Sequence, residues 1–158
     1  FRSMRNTLVF LAFLFATFAA AGIGGLFTGP GVRDWYPALN KPTWTPPAWL
    51  FGPVWTLLYL SIAIAGFLAW RQAGFTDAKW TMVLFTLQLI LNAAWSWVFF
   101  GLRQPGWGFA EIVALWISIL ATTIALFQVS RPAGFLFLPY LLWVTFAGSL
   151  NFAIWRLN

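Results

Sequence analysis

Residues 35–49 read Trp35-Tyr36-Pro37-Ala38-Leu39-Asn40-Lys41-Pro42-Thr43-Trp44-Thr45-Pro46-Pro47-Ala48-Trp49, the longest stretch that is not simply an apolar run. It holds four of the nine prolines and three of the twelve tryptophans. Proline fixes φ, removes a backbone donor and pushes the residue before it out of the helical region. No regular helix can therefore pass through this segment before Pro47. Segments this long without regular structure are usually functional or disordered. Disordered chains are poor in aromatic residues, and this stretch is rich in them, so it is expected to be a rigid, ordered cap. It separates one long apolar run from four others.

The 158 residues are 61% hydrophobic and 8% charged, with a mean hydropathy of +0.81. A soluble domain carries about 25% charged residues. This chain cannot cover a water-facing surface, so an integral multi-pass membrane protein is expected. There is no cysteine and hence no disulfide. There is no histidine, and the only acids are Asp34, Asp77 and Glu111. No zinc or di-iron site can be assembled from these, and Ser/His/Asp or Cys/His nucleophiles are excluded. The net charge is +6, but the nine basic residues are spread one or two per connecting segment. That spread reads as anchoring to lipid headgroups, with the bilayer as partner and no nucleic acid.

Five apolar runs lie near the roughly 20 residues needed to cross a bilayer. They predict an all-α bundle of five transmembrane helices over about 7–27, 47–71, 80–101, 105–128 and 133–156, forming one domain, 1–158. The first run follows Arg2 and Arg5 and carries Ala19-Ala20-Ala21, which resembles a signal cleavage site. It is longer than a signal's apolar region and is expected to be retained. The short later connections require antiparallel neighbours. Arg2, Arg5, Arg71, Lys79 and Arg131 fall on one side, and Arg33, Lys41, Arg103 and Arg156 on the other. Five against four is too even to set orientation.

Helices in lipid associate through small residues and polar contacts. Ala12, Ala16, Ala19, Ala20 and Gly22-Ile23-Gly24-Gly25 in the first run, and Ala110, Ala114, Ser118, Ala121/Thr122 and Ala125 in the fourth, suit close packing or a dimer contact. Phe85, Gln88, Asn92, Trp95 and Phe99 step by three or four along the third run. Their amides would be costly against lipid, so this face looks inward. Tyr140, Trp143, Ala147 and Asn151 form a similar stripe in the fifth run, beside Leu150. Trp55 and Tyr59 pair at i, i+4 in the second. Two readings fit these faces: a packed core with satisfied polar groups, or a pocket for a flat apolar ligand. Glu111 near the start of the fourth run either complements the helix dipole or has a proton or substrate role. Gly29-Pro30-Gly31 is expected to act as a hinge before the cap.

Several motifs stand in order along nearly the whole chain. They are Trp35-Tyr36-x-x-Leu39-x-Lys41-Pro42-x-Trp44-x-Pro46-Pro47, Gly52-Pro53-Val54-Trp55-Thr56-x-Leu58-Tyr59 and Asn92-x-x-Trp95. Phe99-Phe100-Gly101-x-Arg103-Gln104-x-Gly106-Trp107 follows, then Pro139-Tyr140-Leu141-x-Trp143 and Leu150-Asn151. In these the chain resembles the tryptophan-rich sensory protein/translocator protein family (TspO/MBR), whose mitochondrial member was called the peripheral benzodiazepine receptor. The resemblance implies a homodimeric five-helix bundle in a bacterial membrane, or in the mitochondrial outer membrane of a eukaryote. It implies binding of porphyrins and related tetrapyrroles, cholesterol, and isoquinoline carboxamide or benzodiazepine-type ligands, for their transport, sensing or disposal. Carried over motif by motif, the site is Tyr36, Pro46, Trp55, Asn92, Trp95, Trp107, Trp143, Ala147 and Leu150. Trp55 and Trp143 also match the tryptophans implicated in light-dependent porphyrin breakdown.

The chain departs from the family twice. The C-terminal cholesterol motif wants a tyrosine where Leu150-Asn151-Phe152 has phenylalanine, which puts sterol binding in doubt. A glycine pair in the third helix of some relatives is replaced by Val83 and Leu87, so a dimer would need other surfaces. Haem iron is usually held by His, Cys, Met or Tyr. With the first two absent, porphyrin or haem is expected as a ligand held by stacking and carboxylate contacts, and no cofactor is required. No general acid/base pair supports ordinary catalysis, which leaves photochemistry at Trp55 and Trp143 as the enzymatic alternative.

Overall fold

The structure, a computed structural model, describes residues 1–158. It is all helical: α1 (Arg2–Asp34), α2 (Phe51–Asp77), α3 (Lys79–Ser96), α4 (Pro105–Val129) and α5 (Arg131–Leu157). Each is long and apolar enough to cross a membrane, and the protein is an integral multi-pass membrane protein. The principal helix contacts follow the cyclic order α1–α2–α5–α4–α3, and α2 also touches α3 and α4.

Helix ends differ from the sequence expectation where local chemistry is unusual. α1 runs through Gly29-Pro30-Gly31 to Asp34, so these residues are not a hinge. Pro30 forfeits one hydrogen bond, but Gly31 sits so close to the turn that follows α3 that a Cβ there would lie 2.8 Å from Phe100 Cβ and 2.9 Å from the Phe100 carbonyl oxygen. That contact holds the last turns of α1 against the bundle. The expected loop from Gln72 to Lys79 is mostly helix. α2 continues to Asp77 through a break at Gly74, where φ is 75°, a conformation that favours glycine. Proline opens α4 at its first position, and Ser130 caps α5 by accepting from the Ala133 N–H.

α3 does not stop cleanly. Trp97–Gly101 forms a π turn, closed by the Leu102 N–H donating to the Trp97 carbonyl at 2.8 Å. Single π turns often mark functional sites. This one carries Phe99 and Phe100 and leads to Arg103, whose φ of 55° reverses the chain into α4.

The two halves of the ring are filled differently. Toward the N-terminal end of α1, Phe13 meets Phe85 edge-on at 5.6 Å, and Ile62, Leu115, Ile119, Leu126 and Phe137 are buried. Toward the Pro/Trp segment the centre is hollow. Val83 and Leu87 point outward, 48% and 44% exposed, as expected of a lipid-facing surface.

Candidate ligand cavity beneath the Pro/Trp segment

The Pro/Trp segment is pinned at several points. Tyr36–Ala38 makes one 3-10 turn and Ala48–Leu50 another. The Lys41 ammonium donates to the carbonyls of Tyr36, Leu39 and Pro37 at 2.9, 3.1 and 3.4 Å and lies 4.8 Å from the centre of the Tyr36 ring. Asn40 and Asn158 bond reciprocally: the Asn40 N–H donates to Asn158 Oδ1 at 3.0 Å, and Asn158 Nδ2 donates to the Asn40 carbonyl at 2.8 Å. Trp35 meets Phe99 at 5.4 Å, Tyr36 meets Phe100 at 5.8 Å, and Trp44 meets Phe146 at 5.7 Å. The cap is ordered by its own lysine, by the end of α5 and by aromatic contacts to α3 and α5. Burial raises the Tyr36 hydroxyl above the usual phenol range, so it stays neutral.

Beneath this cap lies a cavity of about 530 Å³ bounded by α1, α2, α3 and α5. Its size falls within the range of small-molecule sites. Tyr36, Trp55, Asn92, Trp95, Trp143, Ala147 and Leu150 all line it. Pro46 and Trp107 do not: Pro46 lies in the cap away from the lining, and Trp107 is 73% exposed on α4. Lys41 is also absent from the wall because its ammonium is spent on the cap's own carbonyls. Arg33, exposed at the end of α1, is the cation that borders the cavity.

Sequence reasoning missed most of the α1 wall. Gly25 and Gly29 line the cavity with nothing within 4 Å of a would-be Cβ, whereas Gly24 closes against Ser96. Gly25 belongs to the glycine cluster read as packing and Gly29 to the expected hinge, so neither was legible as lining. Tyr59 and Phe99, placed earlier on inward faces, also reach the cavity, as does Phe51.

The aromatic wall is continuous. Trp55 stacks on Tyr59 at 5.5 Å and stands perpendicular to Trp143 at 6.4 Å, while Trp95 stacks on Phe99 at 5.1 Å. Edge-to-face and offset-stacked pairs are the favoured aromatic geometries, so the rings hold one another in place. Polar groups are few and mostly committed. The Trp95 indole N–H donates to Asn151 Oδ1 at 2.9 Å, and Asn151 Nδ2 donates to the Pro105 carbonyl at 2.8 Å. Tyr59 donates to Asn92 Oδ1 at 2.8 Å. The Trp143 indole N–H is buried without a partner. Both Glu111 oxygens are also buried and unpaired, and the residue lies outside the lining. Phe152 points outward, 45% exposed, whereas its neighbours Leu150 and Asn151 are buried. The cavity offers flat apolar faces, one cation at its border and no arrangement of acid and base for proton transfer.

A family model described as the TspO/MBR family matches residues 11–156. The chain is 44% identical over 153 residues to the tryptophan-rich protein TspO of Archaeoglobus fulgidus, covering 97% of this chain and 99% of the relative. It is 41% identical over 151 residues to the translocator protein of Homo sapiens, covering 94% and 89%. It is 39% identical over 150 residues to the tryptophan-rich sensory protein of Cereibacter sphaeroides, covering 95% and 91%.

Proposed function

The chain belongs to the TspO/MBR family of membrane translocator and sensor proteins, and from that premise we propose that it binds porphyrins and related tetrapyrroles in the cavity beneath the Pro/Trp segment. The observation that carries this reading is the aromatic lining of a partly open cavity of about 530 Å³, with Arg33 at its border. A tetrapyrrole is a flat apolar ring that carries carboxylates at its edge. Trp55, Trp95, Trp143 and Phe99 supply faces and edges for the ring. The Arg33 guanidinium is suited to a carboxylate. Isoquinoline carboxamide and benzodiazepine-type ligands are flat apolar molecules with few polar groups and fit the same wall.

Iron adds little to such binding. The chain has no His or Cys, and neither Met4 nor Met82 lines the cavity. Tyr36 and Tyr59 are the lining residues with an oxygen of the type that ligates haem, and the Tyr59 hydroxyl is already bonded to Asn92. Titration by tryptophan fluorescence quenching with protoporphyrin and with haem is expected to give affinities within a few-fold. A strict requirement for iron would overturn the proposed mode of binding.

A second reading is favoured by one geometric fact: Trp55 and Trp143 stand perpendicular, 6.4 Å apart, in the cavity wall. A photoexcited porphyrin held there would lie against two indoles. Illumination of the complex followed by absorption spectroscopy separates binding alone from breakdown. Product formation that persists in Trp143→Phe at the unaltered rate would remove Trp143 from that reaction.

A further inference from the structure

Four buried or half-buried side chains form one hydrogen-bonded row that begins at the cavity and ends away from it. Tyr59 Oη donates to Asn92 Oδ1 at 2.8 Å, Asn92 Nδ2 donates to Tyr140 Oη at 2.7 Å, and Tyr140 Oη donates to Gln88 Oε1 at 2.8 Å. Tyr59 and Asn92 line the cavity, whereas Tyr140 and Gln88 do not and are fully buried. In this sense every linking proton points away from the ligand space. Tyr59 has no proton left to give, and its oxygen can only accept from a ligand N–H or O–H.

Every member of the row can both donate and accept, because a phenol and a primary amide each carry both functions. An amide turned by 180° exchanges oxygen for nitrogen at nearly the same positions. Turning both amides and rotating both hydroxyls reverses all three bonds without displacing the backbone. Gln88 Nε2 then donates to Tyr140, Tyr140 to Asn92 Oδ1, and Asn92 Nδ2 to Tyr59, which leaves the Tyr59 O–H free for a ligand acceptor. The number of bonds within the row is unchanged.

The far end is built to tolerate either sense. Gln88 Nε2 is buried without a partner, and so is the Thr17 hydroxyl oxygen. α1 and α3 run side by side in one direction: Phe13 meets Phe85, and Gly24 abuts Ser96. The same register sets Thr17 opposite Leu89, the neighbour of Gln88. Thr17 and Gln88 are not bonded to each other, so no fixed partner at the far end holds Gln88 to one sense. The other polar wall behaves differently. The Trp95 indole only donates and the Pro105 carbonyl only accepts, so the Trp95–Asn151–Pro105 row has one sense.

We propose that Tyr59–Asn92–Tyr140–Gln88 is a reversible hydrogen-bond relay through which Gln88, a positioning residue, determines whether the cavity offers a ligand an acceptor or a donor at Tyr59. This rests on the reading of the cavity as a ligand site, and it would let one wall accept ligands of opposite polarity. Two flat tricyclic probes of similar size separate the senses: carbazole, whose N–H donates, and 9-fluorenone, whose carbonyl accepts. The wild type is expected to bind both within about tenfold. Gln88→Met removes the acceptor at the far end, so Tyr140 turns its proton to Asn92 and Tyr59 becomes a donor. The fluorenone-to-carbazole affinity ratio should then rise about tenfold. Adding Tyr140→Phe to Gln88→Met disconnects the row and should return the ratio toward the wild-type value. A merely structural effect would weaken both probes alike. An unchanged ratio in folded Gln88→Met protein, or a wild-type preference above about a hundredfold, would overturn the relay.

Should Gln88→Met not fold, the side-chain amide resonance of Gln88 in the wild type decides. It should move in opposite directions with the two probes, although Gln88 does not line the cavity. Equal movement, or none, would refute the proposal. Porphyrin quenching in the same preparations keeps the outcomes separate. Its loss in the wild type would sink the ligand-site reading itself, whereas normal quenching with an unchanged probe ratio would sink only the relay.

Discussion

Gly31→Ala is the substitution whose effect follows most directly from the packing. The added Cβ would stand 2.8 Å from Phe100 Cβ and 2.9 Å from the Phe100 carbonyl oxygen. A rotating side chain cannot relieve a contact with a backbone oxygen, so either α1 or the π turn must move. Overpacking of this kind costs about 1–3 kcal/mol. A kilocalorie shifts the melting temperature of a chain this size by about 2–4 °C on the scale of soluble domains, so a fall of several degrees is expected. The displaced wall carries Val32 and Arg33, and porphyrin affinity should drop along with stability. Gly29→Ala, two residues away, is the control. Nothing lies within 4 Å of its Cβ, and alanine is better than glycine in a helix by up to about 1 kcal/mol. Thermal unfolding followed by tryptophan fluorescence in one detergent compares the pair. Equal melting temperatures for the two variants would refute the close approach of α1 to the π turn.

Other consequences follow from the cap and the cavity border. Arg33→Gln is expected to weaken protoporphyrin binding by up to about fivefold, as an exposed ion pair contributes about 0–1 kcal/mol, and to leave the dimethyl ester unaffected. Equal losses for acid and ester would show that Arg33 does not meet the carboxylates. Lys41→Met should weaken both forms alike, because Lys41 holds three carbonyls of the cap rather than ligand, and limited proteolysis should then cut within residues 35–49. Tyr36 should add no pH dependence to porphyrin binding up to about pH 9, because burial raises its hydroxyl above the ordinary value near 10 and it keeps its proton. A binding step below about pH 9 that disappears in Tyr36→Phe would contradict this.

The helices were legible because each apolar run is close to membrane thickness and their inward faces carry amides that lipid would not tolerate. Gln88, Asn92 and Asn151 proved buried, as their positions on those faces required. Helix ends were less legible. Pro30 looked like an interruption, yet α1 passes through it because packing of Gly31 on Phe100 holds the turn from outside the local sequence. Gly74 was invisible as a break because a positive φ depends on how α2 meets α3. Within the site, the aromatic residues of α2, α3 and α5 were found from periodicity and from the family resemblance. Glycines bear no side chain to announce a wall, so Gly25 was read as packing and Gly29 as part of a hinge. Lys41 was read as one of the headgroup anchors because sequence gives charge but not the carbonyls that the folded cap turns toward it.

A ligand held between α1, α2, α3 and α5 must be displaced when that space is filled. Ala147 lines that space from α5, whereas Ala114 is exposed on α4. Protoporphyrin titrations of Ala147→Trp and Ala114→Trp, each with a melting curve, compare a plugged cavity with an added indole on the lipid face. Ala147→Trp is expected to stay folded and lose at least about tenfold in affinity while Ala114→Trp binds like the wild type. A folded Ala147→Trp protein that binds protoporphyrin with undiminished affinity would contradict ligand binding in that space.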